Sequence, residues 1–221
     1  MPTQRSRAPQ RHLRGSDPVL ARVMDAVDAA GNAPRWPPEP TEAGDPGAAT
    51  GSYDVLVRAI VSQNISLSAT RAIHARLVDR FGGHTPTPRE ILDDDPDRMR
   101  TAAGLSRAKT TSLRSLADCI DTGRLDLERL HDLPDEEVVA RLSVVKGIGR
   151  WTSEIFLMFH LHRPDVLPVG DLSLRRAVQR AYGLETAPKP AELRLTAEPW
   201  RPYRTLASMY LWRDAEATPQ V

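Results

Sequence analysis

Signals for the start and the end of α-helices follow one another closely from Ser52 onward. Ser66 and Thr87 are typical N-caps ahead of segments with apolar residues at helical spacing, and the pair Gly82 and Gly83 ends one such segment. No stretch alternates apolar and polar residues between turn signals, as a half-buried strand would. The sequence therefore predicts an all-α fold with short connections.

The first 51 residues differ in composition from the rest of the chain. Residues 1–15 carry four arginines and no acidic residue, which predicts a flexible basic arm. Residues 16–51 contain one amphipathic segment, Asp17 to Ala30, followed by a stretch rich in proline and glycine. We expect this part to form an N-terminal helix and a linker that packs on a second helical lobe, while residues 52–221 form the main core.

Composition excludes several classes of protein. The single cysteine, Cys119, rules out an intrachain disulfide framework and a cysteine-ligated zinc or iron–sulfur site. No apolar run reaches the roughly 18 residues of a membrane span, and the arginine-rich start lacks the apolar core of a secretory signal. We therefore expect a cytoplasmic protein. Because the formal net charge is only +1, contact with nucleic acid would depend on local basic patches.

The sequence VKGIGRWTSE, residues 145–154, joins two amphipathic segments through two closely spaced glycines. Helices are predicted over residues 136–144 and 150–162, so the glycines lie in the tight turn of a helix-hairpin-helix. The amides of such a turn and of the next helical turn have no intrahelical acceptor and can bind an anion such as a phosphate diester. The motif alone leaves open a plain turn in which glycine only ends a helix.

Two further motifs place polar groups at predicted helix ends. In RPDVLPVGDLSLRRA, Asp171 arrives at the start of a helix, where it can be a simple N-cap or, in a cleft, stabilise a positive charge. In VSQNISLSA, Gln63 and Asn64 lie at the break between two helices, where they can satisfy helix ends or enter a duplex. The residues by themselves do not choose between these alternatives.

These motifs, closed by WRPYRTLASMYLW at residues 200–212, occur in the order found in a known family. Over roughly residues 50–213 the chain resembles the helix-hairpin-helix DNA glycosylase superfamily, and within it the 3-methyladenine DNA glycosylase II or alkylation-repair type. The resemblance implies two helical lobes with the hairpin and an active-site cleft between the lobes, without the N-terminal β-rich lobe of larger members. It also implies an enzyme of base excision repair that flips alkylated purines such as 3-methyladenine out of double-stranded DNA and hydrolyses the N-glycosidic bond.

The resemblance assigns roles position by position. Asp171 matches the catalytic aspartate of the family. Trp212 and Trp151 match aromatic residues that line or border the base pocket. Asn64, which follows Gln63, matches the residue that wedges into the duplex where the damaged base leaves.

Backbone groups of the hairpin also match functional positions of the family. The amides that hold a DNA phosphate match those of Gly147, Gly149 and Thr152. The carbonyls that bind a structural monovalent cation in many members match those of Ser143, Val145 and Ile148. No other cofactor is implied. Lys146 stands where the family usually has proline, which leaves the phosphate-binding amides in place.

The residue after the hairpin indicates the type of glycosylase. Relatives that also cut the DNA backbone have a lysine at the position of Trp151, and an indole has no amine to form a Schiff base, so we expect no lyase activity. Ile155 stands where the alkylation-repair branch can place an aromatic residue, which implies a smaller stacking surface. We expect a monomer that acts on alkylated bases in the nucleoid. A non-catalytic DNA-binding module and a glycosylase for oxidised or mismatched bases are the alternative functions.

Overall fold

The computed structural model describes residues 8–36 and 51–217, and the regular structure within these ranges is entirely helical. This confirms the all-α prediction. The α-helices of the described residues are α1 (Ala8–Ser16), α2 (Pro18–Ala29), α3 (Ser52–Ser62), α4 (Leu67–Arg80), α5 (Pro88–Asp93), α6 (Pro96–Ala103), α7 (Arg107–Asp121), α8 (Asp135–Leu142), α9 (Arg150–Phe159), α10 (Leu172–Tyr182), α11 (Pro190–Thr196) and α12 (Arg204–Ala217). Two short 3-10 helices, Glu128–Asp132 and Glu198–Trp200, complete the set. No helix in the described ranges combines the length and the apolarity that crossing a bilayer would require.

Side-chain caps start the helices where the sequence predicts them. Ser66 Oγ accepts a hydrogen bond from the Ala69 amide at 3.3 Å, and Thr87 forms a reciprocal capping box with Glu90. Gly104 ends α6 in the left-handed conformation, with φ of 75°. These local interactions explain why the helices of the middle of the chain are short and follow one another closely.

The chain folds into two compact units. The central unit is a continuous segment, residues 40–161, and the terminal unit combines residues 1–39 with residues 162–221. Helices α1 and α2 belong to the same unit as α10 and α12, because α2 packs against both of them. The predicted division at residue 52 therefore differs from the observed one, and the N-terminal helices are part of a core rather than an addition to it.

The N-terminal basic segment, predicted as a flexible arm over residues 1–15, is helical from residue 8 onward, so that prediction is wrong for this part. Leu13 is fully buried in the apolar core of the terminal unit, and Arg14 forms an ion pair with Asp28 of α2. These tertiary contacts stabilise a short arginine-rich helix that would be marginal in isolation. The first seven residues lie outside the described residues.

A buried carboxylate joins α2 to the later helices of the terminal unit. Asp17 is 7% exposed and caps α2, where Oδ1 accepts hydrogen bonds from the Val19 and Leu20 amides at 2.9 and 3.0 Å. Its Oδ2 accepts from the Trp200 indole at 2.8 Å and from the Tyr182 hydroxyl. Burial acts to raise the pKa of Asp17, but these four hydrogen bonds outweigh it and hold the pKa below the usual value. Asp17 is therefore an ionised tie between α2, the end of α10 and the second 3-10 helix.

The proline- and glycine-rich linker is described only as far as Trp36. The Trp36 side chain packs against the apolar core of the terminal unit and meets the Tyr203 ring edge-on, with centroids 6.4 Å apart. The amphipathic segment from Asp17 to Ala30, predicted to be helical, forms α2. Residues 37–50 of the linker lie outside the described residues.

Helix α3 packs against three other helices of the central unit, namely α4, α7 and α9. Leu56 and Ile60 on α3 are fully buried, as are Leu113 on α7 and Phe156, at 2% exposure, on α9. The apolar contacts of α3 thus fix the helices from which the candidate site of this unit is built.

Replacing Asp17 by asparagine keeps an N-cap but removes the charge that four donors share. We expect the free energy of unfolding at neutral pH to fall by about 3 kcal/mol, because hydrogen bonds to a buried ion are stronger than those to a neutral group. The pKa of Asp17 is lowered in the fold, so its contribution is present above the ordinary aspartate pKa and is lost as pH falls through the folded value. The stabilities of the wild type and of Asp17→Asn in urea should therefore begin to converge as the pH falls below about 4, and meet only below the lowered pKa of Asp17.

Asp25→Asn is the matched control, because the Asp25 side chain is 69% exposed on the same helix. We expect it to change the free energy of unfolding by less than about 1 kcal/mol. Equal stability of the two variants at neutral pH would contradict the role assigned to Asp17.

Candidate functional site

Helices α8 and α9 and the turn between them, residues 143–149, form the predicted helix-hairpin-helix of the central unit. Helix α8 ends at Leu142 and α9 ends at Phe159, slightly earlier than predicted. Within the turn, Val145 and Ile148 are 1% and 3% exposed, and the Ile148 amide donates to the Val145 carbonyl at 3.0 Å. Two buried side chains thus anchor a turn whose glycines remain at the surface.

Gly147 occupies a position where a larger residue would be strained. Its φ is 89°, and a Cβ built on it would lie 2.1 Å from Oγ of Ser112 on α7. Helix α7 also holds the turn through Ser115, whose Oγ accepts a hydrogen bond from the Lys146 amide at 3.0 Å. The lysine at this position therefore has a structural consequence, because it provides the amide that a proline lacks.

The N-terminus of α9 has no side-chain cap. Gly149 is the N-cap residue, and a Cβ on it would meet no atom within 4 Å. The helix donates its first backbone hydrogen bond from Ser153 to the Gly149 carbonyl, at 3.0 Å. Within the described residues, the amides of Gly147, Gly149 and Thr152 donate no hydrogen bond. These are the amides predicted to hold a phosphate, and the dipole of α9 adds positive potential at the same place.

An ion pair connects the two helices of the hairpin at its surface. Arg150 donates to both carboxylate oxygens of Glu136, at 3.0 and 2.6 Å. Hydrogen bonding with Glu136 raises the pKa of Arg150 above its usual value. Because the Glu136 side chain is 77% exposed, we expect this pair to contribute at most about 1 kcal/mol and mainly to set the orientation of the helices.

The turn between α3 and α4 is bonded directly to the hairpin. Gln63 Nε2 donates to the Gly147 carbonyl at 2.9 Å. Asn64 is exposed and has φ of 56°, which is uncommon for a residue other than glycine. Gln63 therefore braces the hairpin, and Asn64 occupies the exposed tip predicted to enter a duplex. The sequence did not indicate the Gln63 contact, because its partner lies 84 residues later.

In the terminal unit, Asp171 caps α10 as predicted. Its Oδ1 accepts hydrogen bonds from the Leu174 amide at 2.6 Å and from the Trp212 indole at 3.3 Å. The predicted catalytic aspartate and the predicted pocket tryptophan are therefore in direct contact. The cap role and the proposed chemical role are compatible, because both use the same ionised carboxylate. No signal in the sequence indicated that the two side chains meet.

The two predicted pocket tryptophans differ in their surroundings. Trp212 is half-buried against the apolar core of the terminal unit, and Trp151 on α9 of the central unit is 45% exposed. Ile155, one turn further along α9, is half-buried. Of these two tryptophans, Trp212 belongs to the terminal unit and Trp151 to the central unit. Much of the Trp151 ring is accessible to solvent.

The carbonyls predicted to bind a monovalent cation belong to Ser143, Val145 and Ile148 in the hairpin turn. Monovalent cations are commonly coordinated by backbone carbonyl oxygens. The Val145 carbonyl also accepts the Ile148 amide, which leaves it one lone pair for a cation. In the described ranges, no group of three or more His, Cys, Asp or Glu side chains is placed to hold a metal ion.

Known proteins are similar to this chain in both sequence and fold. Residues 57–202 match the family model of HhH-GPD superfamily base excision DNA repair proteins. DNA-3-methyladenine glycosylase 1 of Schizosaccharomyces pombe is 39% identical over 166 residues, which cover 74% of this chain and 72% of that protein. DNA-3-methyladenine glycosylase 2 of Escherichia coli is 28% identical over 170 residues, which cover 73% of this chain and 57% of that protein.

Solved structures extend the similarity over nearly the whole chain. The 3-methyladenine DNA glycosylase of Schizosaccharomyces pombe in complex with abasic DNA superposes with a TM-score of 0.77 at 34% identity, covering 92% of this chain and 94% of that one. A DNA-3-methyladenine glycosidase from Bacillus halodurans superposes with a TM-score of 0.73 at 31% identity, covering 95% and 90%.

Alanine at position 147 should destabilise the protein far more than alanine at position 149. For Gly147→Ala we expect a loss of about 3 kcal/mol in the free energy of unfolding, because the new Cβ combines a positive φ with a clash against Ser112. For Gly149→Ala we expect a change of less than about 1 kcal/mol, because its conformation is extended and open. Urea unfolding monitored by circular dichroism measures both.

Adding Ser112→Ala to Gly147→Ala separates the two causes. Removal of the hydroxyl should restore part of the lost stability and leave the cost of the left-handed backbone, about 1–2 kcal/mol. No recovery at all would show that Ser112 is not what excludes a side chain at position 147.

Proposed function

Because the chain belongs to the HhH-GPD superfamily of base excision DNA repair proteins, we propose that it is a monofunctional DNA glycosylase that removes alkylated purines such as 3-methyladenine from double-stranded DNA. The contact between Asp171 and Trp212 carries this proposal. It places a fixed anion beside an aromatic ring, and this pair of groups suits the release of a cationic base from its sugar. Relatives named 3-methyladenine glycosylases support the same substrate class.

In this proposal the hairpin binds the DNA backbone, and its contacts do not depend on the base sequence. The amides of Gly147, Gly149 and Thr152 donate to a backbone phosphate, helped by the dipole of α9. Such contacts set the position of the protein on the duplex but carry no information about the bases. A damaged base is therefore recognised only when it has left the stack of bases.

The turn between α3 and α4 supports base flipping. Extruding a nucleotide costs a few kcal/mol, and least for a damaged or poorly paired base. Asn64, at the exposed tip of this turn, enters the duplex and fills the place of the lost base. Gln63 helps through its bond to Gly147, because it couples the wedge rigidly to the phosphate-binding turn.

Asp171 provides the chemistry. As the N-glycosidic bond breaks, the sugar becomes oxocarbenium-like, and a carboxylate at short range stabilises the developing positive charge. Two donors already orient Oδ1, so the group reorganises little during the reaction. Water adds to C1′ of the sugar and gives up a proton to the solvent, and the base leaves with the bonding electron pair. A 3-alkylated purine is cationic before the step and leaves neutral, so no general acid is required.

Trp212, beside Asp171 in the same unit, is the aromatic surface that we propose for the cationic purine, and the partly exposed Trp151 of the other unit is a second indole able to stack on a base. Stacking a cation on an indole is worth about 0.5–2 kcal/mol. Neither side chain has an amine, so neither can form a Schiff base with the abasic sugar. The DNA backbone should therefore stay intact after the base is released.

The same proposal covers the cation, the oligomeric state and the location. The carbonyls of Ser143, Val145 and Ile148 would hold a monovalent cation, which would supply positive charge to the hairpin turn. No further cofactor takes part. A single chain carries every residue named above, so a monomer suffices. The substrate places the enzyme with the nucleoid in the cytoplasm.

The main alternative is a DNA-binding module without catalysis. Such a module would use the hairpin in the same way, but a carboxylate near phosphate would only weaken its binding. The bond between Trp212 and Asp171 favours the enzyme, because it orients a negative charge that a passive clamp does not need. Separate measurement of base release and of DNA binding distinguishes the two functions.

Asp171→Asn should abolish base release while leaving the fold and the lesion affinity intact. Asparagine is as good an N-cap as aspartate, but it lacks the charge that stabilises the oxocarbenium-like sugar, so we expect the rate to fall at least about a hundredfold. The assay is release of free 3-methyladenine from methylated duplex DNA under single-turnover conditions, with the phosphodiester backbone scored on the same samples.

Glu185→Gln is the matched control, because Glu185 is an exposed carboxylate of the same unit. It should release base at the wild-type rate. If neither the wild type nor Asp171→Asn releases 3-methyladenine while both bind DNA, the glycosylase proposal for alkylated purines fails and the binding module is favoured.

Trp212→Phe tests the indole bond apart from the aromatic ring. It keeps a stacking surface but removes the Nε1–H donor to Asp171, and loss of one such hydrogen bond should slow base release about fivefold. DNA affinity and melting temperature should stay near the wild-type values. A wild-type rate in Trp212→Phe would show that the indole does not position Asp171.

A further inference from the structure

Helix α7 of the central unit begins with a lysine whose side chain is largely buried, while its ammonium is only partly removed from water. Lys109, in the first turn after the N-cap Ser106, is 8% exposed. Burial alone lowers the pKa of Lys109 below its usual range. Within residues 8–36 and 51–217, no acceptor takes a hydrogen bond from its ammonium and no carboxylate pairs with it.

The position of Lys109 makes this arrangement costly for the free protein. The N-terminus of a helix carries positive potential, so a lysine there is repelled by the dipole rather than stabilised by it. Partial desolvation of the ammonium adds a smaller cost of the same sign. A second cation, Arg107, is exposed at the same helix end. The helix dipole, the Lys109 ammonium and the Arg107 guanidinium would all attract an anion bound at this helix end.

Lys109 lies on the face of α7 that supports the hairpin. It is three residues before Ser112, the residue beside Gly147, and six residues before Ser115, which accepts the Lys146 amide. Residues three apart on a helix are neighbours on one face, and helical side chains lean toward the N-terminus. The Lys109 side chain therefore extends beyond the hairpin turn, on the side of α7 where the phosphate-binding amides lie.

We propose that Lys109 is a further DNA-binding residue, whose ammonium pairs with a backbone phosphate next to the one held by the hairpin amides. The ligand class rests on the proposed function, because duplex DNA supplies a row of phosphates at this surface. An ammonium is a compact point charge that suits a phosphate without requiring a fixed orientation. The unpaired charge in the free protein is then a site prepared for its ligand.

Lys109→Met tests the proposal through the salt dependence of DNA binding. Loss of one phosphate contact should lower the slope of log affinity against log salt by about 1. The affinity ratio of wild type to variant should therefore shrink about three- to fourfold between roughly 50 and 200 mM salt. The probe is undamaged duplex DNA. The melting temperature without DNA should stay the same or rise, because an unpaired, partly desolvated charge has been removed.

Arg124→Met is the matched control. Arg124 follows the other end of α7, about 20 Å away along a helix of this length, and its side chain is 54% exposed beside Asp118. Its removal subtracts the same charge and should leave the salt slope unchanged. Lys109→Arg should keep the wild-type slope, because it keeps the cation. A wild-type slope in Lys109→Met, or an equal change in Arg124→Met, would overturn the proposal.

A measurement on the wild type covers the case in which position 109 does not tolerate substitution. The chain has three lysines, Lys109, Lys146 and Lys189, and their acetylation by acetic anhydride can be followed by mass spectrometry. Duplex DNA should protect Lys109 and leave Lys189 unaffected. Equal modification of Lys109 with and without saturating DNA would overturn the proposal.

The outcome of these two experiments is independent of whether the proposed glycosylase function is correct. Both use undamaged DNA and do not depend on base release. A protein that binds DNA through Lys109 but releases no base contradicts the glycosylase proposal alone. A protein that releases 3-methyladenine with an unprotected Lys109 contradicts this inference alone.

Discussion

The buried carboxylate of Asp17 is the interaction on which the terminal unit depends. This unit is assembled from the two ends of the chain, residues 1–39 and 162–221, so contacts between distant segments must hold it together. Asp17 supplies such a contact to Tyr182, 165 residues later, at the end of α10. The same helix begins at Asp171. The orientation of the candidate catalytic carboxylate therefore depends on another carboxylate that never meets the substrate.

Helix N-termini are used in three different ways in this protein. At α2 and α10, an aspartate accepts hydrogen bonds from the free amides of its own helix. At α9, glycine is the N-cap and no side chain caps the amides, which is the arrangement that we propose for binding a phosphate. At α7, a serine cap is followed by a buried lysine, so that dipole and side chain both favour an anion. The choice of one or two residues thus decides whether a helix end contributes to stability or to binding.

Two positions for which we propose a function in the central unit are also positions where local stability is not optimal. Asn64 has a positive φ without being glycine, and Lys109 is a partly desolvated cation without a partner among the described residues. The bond of Gln63 to the hairpin holds the turn that carries Asn64. Departures of this kind from local rules are expected where a surface is built for a ligand.

The sequence by itself determined the features that arise within a few residues of chain. The all-α class, the caps at Ser66 and Thr87, the hairpin turn and the helix that starts at Asp171 all follow from local hydrogen bonding and periodicity. Only the tertiary structure decided the rest. It turned most of the predicted flexible arm into α1 by burying Leu13, joined Gln63 to Gly147, and brought the Trp212 indole to Asp171. These outcomes depend on packing between segments far apart in the chain, and spacing along a sequence does not encode such distances.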